Sequence, residues 1–156
     1  MKKLFEILYG WAVPGLSSVL APYKENVQMT NLVKTFYLKL QSFSLWFFLI
    51  AAVLSVLMFC IYYWPYNNKP GRHYRWQKWL IFLGISTGSV FLLTLCVGAI
   101  VKCPIYSLWW KTVATIACVN ALYSLLIYVA FSFVLSQIPP TSTKTNAYLW
   151  MKIGRK

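Results

Sequence analysis

Residues 112–138 read TVATIACVNALYSLLIYVAFSFVLSQI, and no charged side chain interrupts them. A helix of about 20 residues crosses the ~30 Å hydrocarbon layer of a bilayer. Charge is excluded from such runs because one ionised group at the bilayer centre costs at least about 2.5 kcal/mol. Residues 43–64 and 79–101 form two further runs of similar length, again without charge. Together they predict an all-α, polytopic integral membrane helix bundle with three definite transmembrane helices. The longest polar stretches (23–31, 66–78 and 139–145) are too short to bury a core of their own, so residues 1–156 read as a single transmembrane domain.

Residues 4–22 are harder to place. Leu4, Leu8 and Trp11 lie on one helical face, and Pro14-Gly15 then interrupts the run. Proline removes a backbone donor and glycine loosens the helix, which predicts a broken, kinked or re-entrant element. Charge bias favours reading it as a fourth crossing. With that crossing, ten of the fifteen Lys/Arg gather on one side: Lys2, Lys3, the four bases of 69–78 and the four of the tail 139–156. Cytoplasmic loops carry the excess of Lys/Arg, so both termini are expected in the cytoplasm. Without the crossing the split is eight against seven. In either case the 69–78 loop and the tail share one side.

Before the first definite span, Met29, Leu32, Val33, Phe36, Tyr37 and Leu40 recur at helical spacing, with Gln28, Asn31, Lys34 and Gln41 on much of the opposite face. No Pro or Gly separates this stretch from the span. One helix over 27–63 is predicted, about 55 Å long at 1.5 Å per residue. Its amphipathic extension should lie along the interface, tilt or project, and a neighbouring subunit could cover it.

The formal charge is +13, from fifteen Lys/Arg against Glu6 and Glu25. Because the bases flank apolar spans, anionic headgroups and membrane lipids are the expected partners, and no nucleic acid is expected. With two acids and no Asp, paired-carboxylate and carboxylate-bridged metal chemistry have no residues to use. The cysteines form no CxxC pair, and His73 has no second ligand near it. No nucleotide loop or activated nucleophile is present. The chain is therefore read as a non-enzyme without metal or cofactor. Aromatic residues cluster at the span ends (Trp46, Tyr62, Tyr63, Trp79, Tyr106, Trp109 and Trp110 among them), as expected of headgroup-depth belts.

Three groups carry functional expectations. Asn120, Ser124 and Tyr128 are four residues apart and share a face of the last span, with Thr115 nearer its start. An amide at mid-span must find a partner, which is either a neighbouring helix or water in an uncharged pore. Gly84 and Gly88 form a GxxxG pair that lets a neighbouring backbone approach, within one subunit or between two. Arg72, His73, Arg75 and Lys78 offer phosphate or partner contacts, since arginine forks match phosphate geometry. Few short helices enclose little volume, so function through assembly is expected. The chain is read as a subunit of a homo-oligomer that forms a pore, a channel or a membrane-permeabilising effector. The alternative is a non-conducting anchor or accessory subunit that recruits a cytoplasmic partner through the basic loop and tail.

Overall fold

The computed structural model describes residues 2–63, 76–101, 103 and 105–135, and they form an all-α membrane bundle. In chain order the helices are α1 (Lys2–Tyr9), α2 (Leu16–Leu20), α3 (Val27–Ile61), α4 (Trp76–Ile100) and α5 (Tyr106–Leu135), with a 3-10 turn at Ala21–Tyr23 after α2. Three of them, α3, α4 and α5, are long and apolar enough to cross a membrane. The amino-terminal element is broken around Pro14-Gly15, as the sequence predicts. At 1.5 Å per residue, α1 covers about 12 Å and α2 about 8 Å. Neither crosses a bilayer, so the expected fourth crossing is not built as a spanning helix.

Local chemistry sets the helix starts. Asn26 caps α3: its Oδ1 accepts the backbone N–H of Met29 at 3.2 Å, satisfying one of the donors that a helix leaves open at its first turn. Thr30 Oγ1 donates to the carbonyl of Tyr23 at 2.6 Å and ties the preceding turn to the same helix. Helix α5 begins six residues before the charge-free run and takes in Lys111. The helix can extend past the hydrocarbon edge because headgroup depth tolerates charge, whereas an apolar run marks only the dry part.

The described residues fall into two compact units. One comprises those of 1–50 and 91–121, the other those of 51–90 and 122–156. In the first, Phe5 and Tyr9 of α1 are buried together with Val33, Phe36, Tyr37, Leu40 and Phe47 of α3 and with Val113, Ile116 and Ala117 of α5. Val33, Phe36, Tyr37 and Leu40 of the amphipathic stretch thus find cover within their own chain, while Met29 and Leu32 stay exposed. Phe5 meets Tyr37 edge-on at 5.9 Å, and the Tyr37 hydroxyl donates to the carbonyl of Pro14. Cover from a neighbouring subunit, one of the expectations for this stretch, is not required by those four residues. Outside the hydrocarbon, burying each such side chain is worth about 1.5–3 kcal/mol, an incentive that lipid-facing positions lack.

Gly98 marks a tight helix approach in this unit. A methyl group added to it would overlap the Val113 side chain, and the Trp109 indole N–H donates to its carbonyl at 3.3 Å. The α4–α5 contact therefore depends on a glycine ten residues beyond the GxxxG pair.

In the second unit, Phe59, Tyr62, Tyr63, Trp79 and Tyr128 form a buried cluster. Tyr62 and Tyr63 lie edge-on at 4.9 Å, and Tyr128 meets Phe59 at 5.9 Å and Trp79 at 5.7 Å. Three aromatics expected at headgroup depth, Tyr62, Tyr63 and Trp79, are thus packed inward. Trp46, Tyr106 and Trp110 remain exposed, as a belt requires.

Candidate functional site

Asn120 is fully buried, and its amide is saturated within the chain. Its Oδ1 accepts the Tyr9 hydroxyl at 2.7 Å. Its Nδ2 donates to the Phe47 carbonyl at 3.0 Å and to Thr94 Oγ1 at 3.1 Å. Both amide protons are in use, so α1, α3, α4 and α5 each contribute to one node. Position explains the choice of residue: an amide supplies two donors and an acceptor on one planar group, and three helix neighbours present matching atoms.

Ser124 is the centre of a second node, in the other unit. Its Oγ lies 2.8 Å from Ser55 Oγ and 3.1 Å from Ser86 Oγ. Ser55 Oγ is also 2.5 Å from the Ala51 carbonyl. A hydroxyl has one proton, so when Ser55 donates to Ala51, Ser124 donates to Ser55 and Ser86 to Ser124. All three serines are fully buried. Further along α5, Ser132 Oγ accepts the Trp79 indole N–H at 3.1 Å.

Tyr128 differs from both. It is fully buried in the aromatic cluster, and its hydroxyl has no hydrogen-bond partner among the described residues. Thr115, expected on the same functional face, donates instead to the Lys111 carbonyl of its own helix at 2.8 Å. The structure therefore brings Asn120, Ser124 and Tyr128 into packed interiors and leaves Thr115 bonded locally.

Gly84 and Gly88 face open space, since a methyl group at either would meet nothing within 4 Å. Between them, Thr87 keeps a buried hydroxyl without a partner among the described residues. Lys78, in the first turn of α4, is exposed. The other three basic-segment residues, Arg72, His73 and Arg75, lie outside the described residues, as does the tail 139–156. The four cysteines are free thiols. Burial pushes the Cys103 thiol up, partly offset by a backbone hydrogen bond at Ile105, so it is held protonated at neutral pH rather than activated.

Ser86 and Thr94 are span hydroxyls whose bonds across helices the sequence suggests; Tyr9 and Phe47 at the Asn120 node, and Ser55 at the Ser124 node, are the residues that sequence reading missed. Ser55 did carry a signal, as a hydroxyl inside a charge-free span. Tyr9, which sits in a segment whose placement was open, did not. The chain matches no protein-family model, no curated protein and no solved structure.

Proposed function

We propose that this protein is a non-conducting, non-enzymatic membrane subunit, an anchor or accessory component of a larger assembly. Support comes chiefly from Asn120: its amide hydrogens are taken by Phe47 and Thr94 and its oxygen by Tyr9. A water-filled axis needs amides and hydroxyls free to hydrate, and those of Asn120 and Ser124 are bonded to the protomer's own helices. The assembling surface in this reading is the open Gly84–Gly88 face of α4, and a cytoplasmic protein partner is recruited by Arg72, His73, Arg75, Lys78 and the basic tail. Anionic headgroups screen the remaining bases.

The 69–78 loop and the tail are proposed to be cytoplasmic, because they hold eight of the fifteen Lys/Arg. Placing the amino terminus there too requires residues 4–22 to cross. The shared cavity of Lys2 and Lys34 supports a re-entrant element instead, with the amino terminus on the side where α3 begins.

A second reading, a homo-oligomeric pore or permeabilising effector, draws on the same glycine face, which allows a symmetry mate to approach closely. Reconstituted vesicles with a potential-sensitive dye separate the two. Wild-type protein should leave the imposed potential intact. Sustained dissipation by the wild-type protein would overturn the non-conducting reading.

A further inference from the structure

A cavity of about 810 Å³ lies entirely within the first unit, among α1, α2 and the opening turns of α3. That volume is within the range of small-molecule sites. Lys2, Glu6, Lys34 and Gln41 line it, with Tyr37 beside them. Gln41 is only 7 % exposed, and its side-chain amide has no hydrogen-bond partner among the described residues. The Tyr37 hydroxyl is already engaged by Pro14, which leaves the Gln41 amide as the neutral group of the cavity wall that a ligand would meet.

The charges are unusual for this chain. It contains two acids, and one of them, Glu6, lines this cavity beside two lysines. None of the three forms an ion pair with another described residue. Two cations and one anion, each uncommitted, match a ligand that carries both signs.

Depth narrows the ligand class. The last charge of α3 is Lys39, so its charge-free part starts at Leu40, one residue before Gln41. Three successive crossings would point α3 and α5 the same way, and Asn120 meets Phe47. The charge-free part of α5 starts eight residues before Asn120, and the same step back from Phe47 reaches Lys39. The cavity therefore opens where α3 leaves the hydrocarbon for the headgroup layer.

We infer that this cavity binds the headgroup of an amine-bearing phospholipid. Lys2 and Lys34 hold the phosphate, Glu6 accepts the ammonium, and the Gln41 amide hydrogen-bonds the phosphate or ester oxygens. The inference does not depend on whether the protein conducts.

Native mass spectrometry of the full-length protein in detergent micelles tests it, with phosphatidylethanolamine, phosphatidylglycerol or inorganic phosphate added. The wild type should retain phosphatidylethanolamine over phosphatidylglycerol. Lys34→Gln should weaken retention of both lipids by about tenfold, the scale of one hydrogen bond to a charged group. Glu6→Gln should abolish or reverse the preference between them. Lys39→Gln, which changes a lysine outside the cavity lining, should do neither. Lys34, Glu6 and Lys39 are all exposed, and circular dichroism checks that each variant folds. Equal retention by the Lys34 and Lys39 variants would overturn the site. An unchanged preference in Glu6→Gln would overturn the amine assignment. Displacement of lipid by millimolar inorganic phosphate would show a site for free phosphate rather than for lipid.

Discussion

Asn120 and Tyr128 sit on the same helix, share one sequence spacing and are both fully buried, yet their chemistry is opposite. Asn120 uses both amide hydrogens and its oxygen on three helix neighbours. Tyr128 is held by rings, Phe59 and Trp79 among them, and its hydroxyl finds nothing among the described residues. Burial alone therefore says little about what a polar group contributes. An amide in a dry interior without partners would cost several kcal/mol, so the surroundings of Asn120 must be specific. A tyrosine can be tolerated for its ring while its hydroxyl adds nothing.

The largest expected effect lies at the Asn120 node. Asn120→Leu removes three hydrogen bonds. Counting from about 0.6 kcal/mol per bond measured in membrane proteins to about 1 kcal/mol in soluble ones, the loss is about 2–3 kcal/mol. Tyr9→Phe should cost about 1–2 kcal/mol, because it leaves Asn120 Oδ1 without a donor. The double variant should lose less than the sum, with a coupling of about 1 kcal/mol. Unfolding in a graded detergent titration, followed by the fluorescence of the tryptophans, measures all three. Additive losses would mean that Tyr9 and Asn120 do not depend on each other.

Next in size is a contrast between glycines. Gly98→Leu forces a branched side chain against Val113 and should cost about 1–3 kcal/mol by overpacking. The double change Gly84→Leu with Gly88→Leu fills open space and should leave protomer stability within about 0.5 kcal/mol. If the open face is an assembly surface, that same double variant should lose oligomer bands on cross-linking in native membranes. Unchanged cross-linking would assign the face to lipid.

The fold was largely legible because membrane solvent imposes a severe rule. Three charge-free runs of spanning length leave little choice but helices, and Pro14 and Gly15 mark the break before α3. What was not legible depends on partners distant in sequence. The spacing of Asn120 and Ser124 gave their common face, but whether that face meets water or helices depends on Tyr9, Phe47, Ser55 and Ser86. The glycine motif was visible at 84 and 88, whereas the tight contact occurs at Gly98, where Val113 of another helix arrives. Tyr62, Tyr63 and Trp79 show the same limit: aromatics at span ends fit both a headgroup belt and an inward cluster, and only tertiary packing decides between them.

The smallest expected effect tests the other half of the opening contrast. Tyr128→Phe deletes a buried hydroxyl that has no partner and keeps the ring that Phe59 and Trp79 contact. Such a deletion removes a desolvated polar group without losing packing, so stability should stay level or rise by up to about 1 kcal/mol. Tyr128→Leu, by contrast, gives up the edge-on ring contacts and should fall by about 1–2 kcal/mol, since aromatic pairs are worth about 0.5–1.5 kcal/mol each beyond their buried area. The two variants in the same detergent titration therefore separate ring from hydroxyl. A loss above about 1 kcal/mol in Tyr128→Phe would mean that the hydroxyl holds a partner, a water or a second chain, and Tyr128 would then resemble Asn120 rather than oppose it.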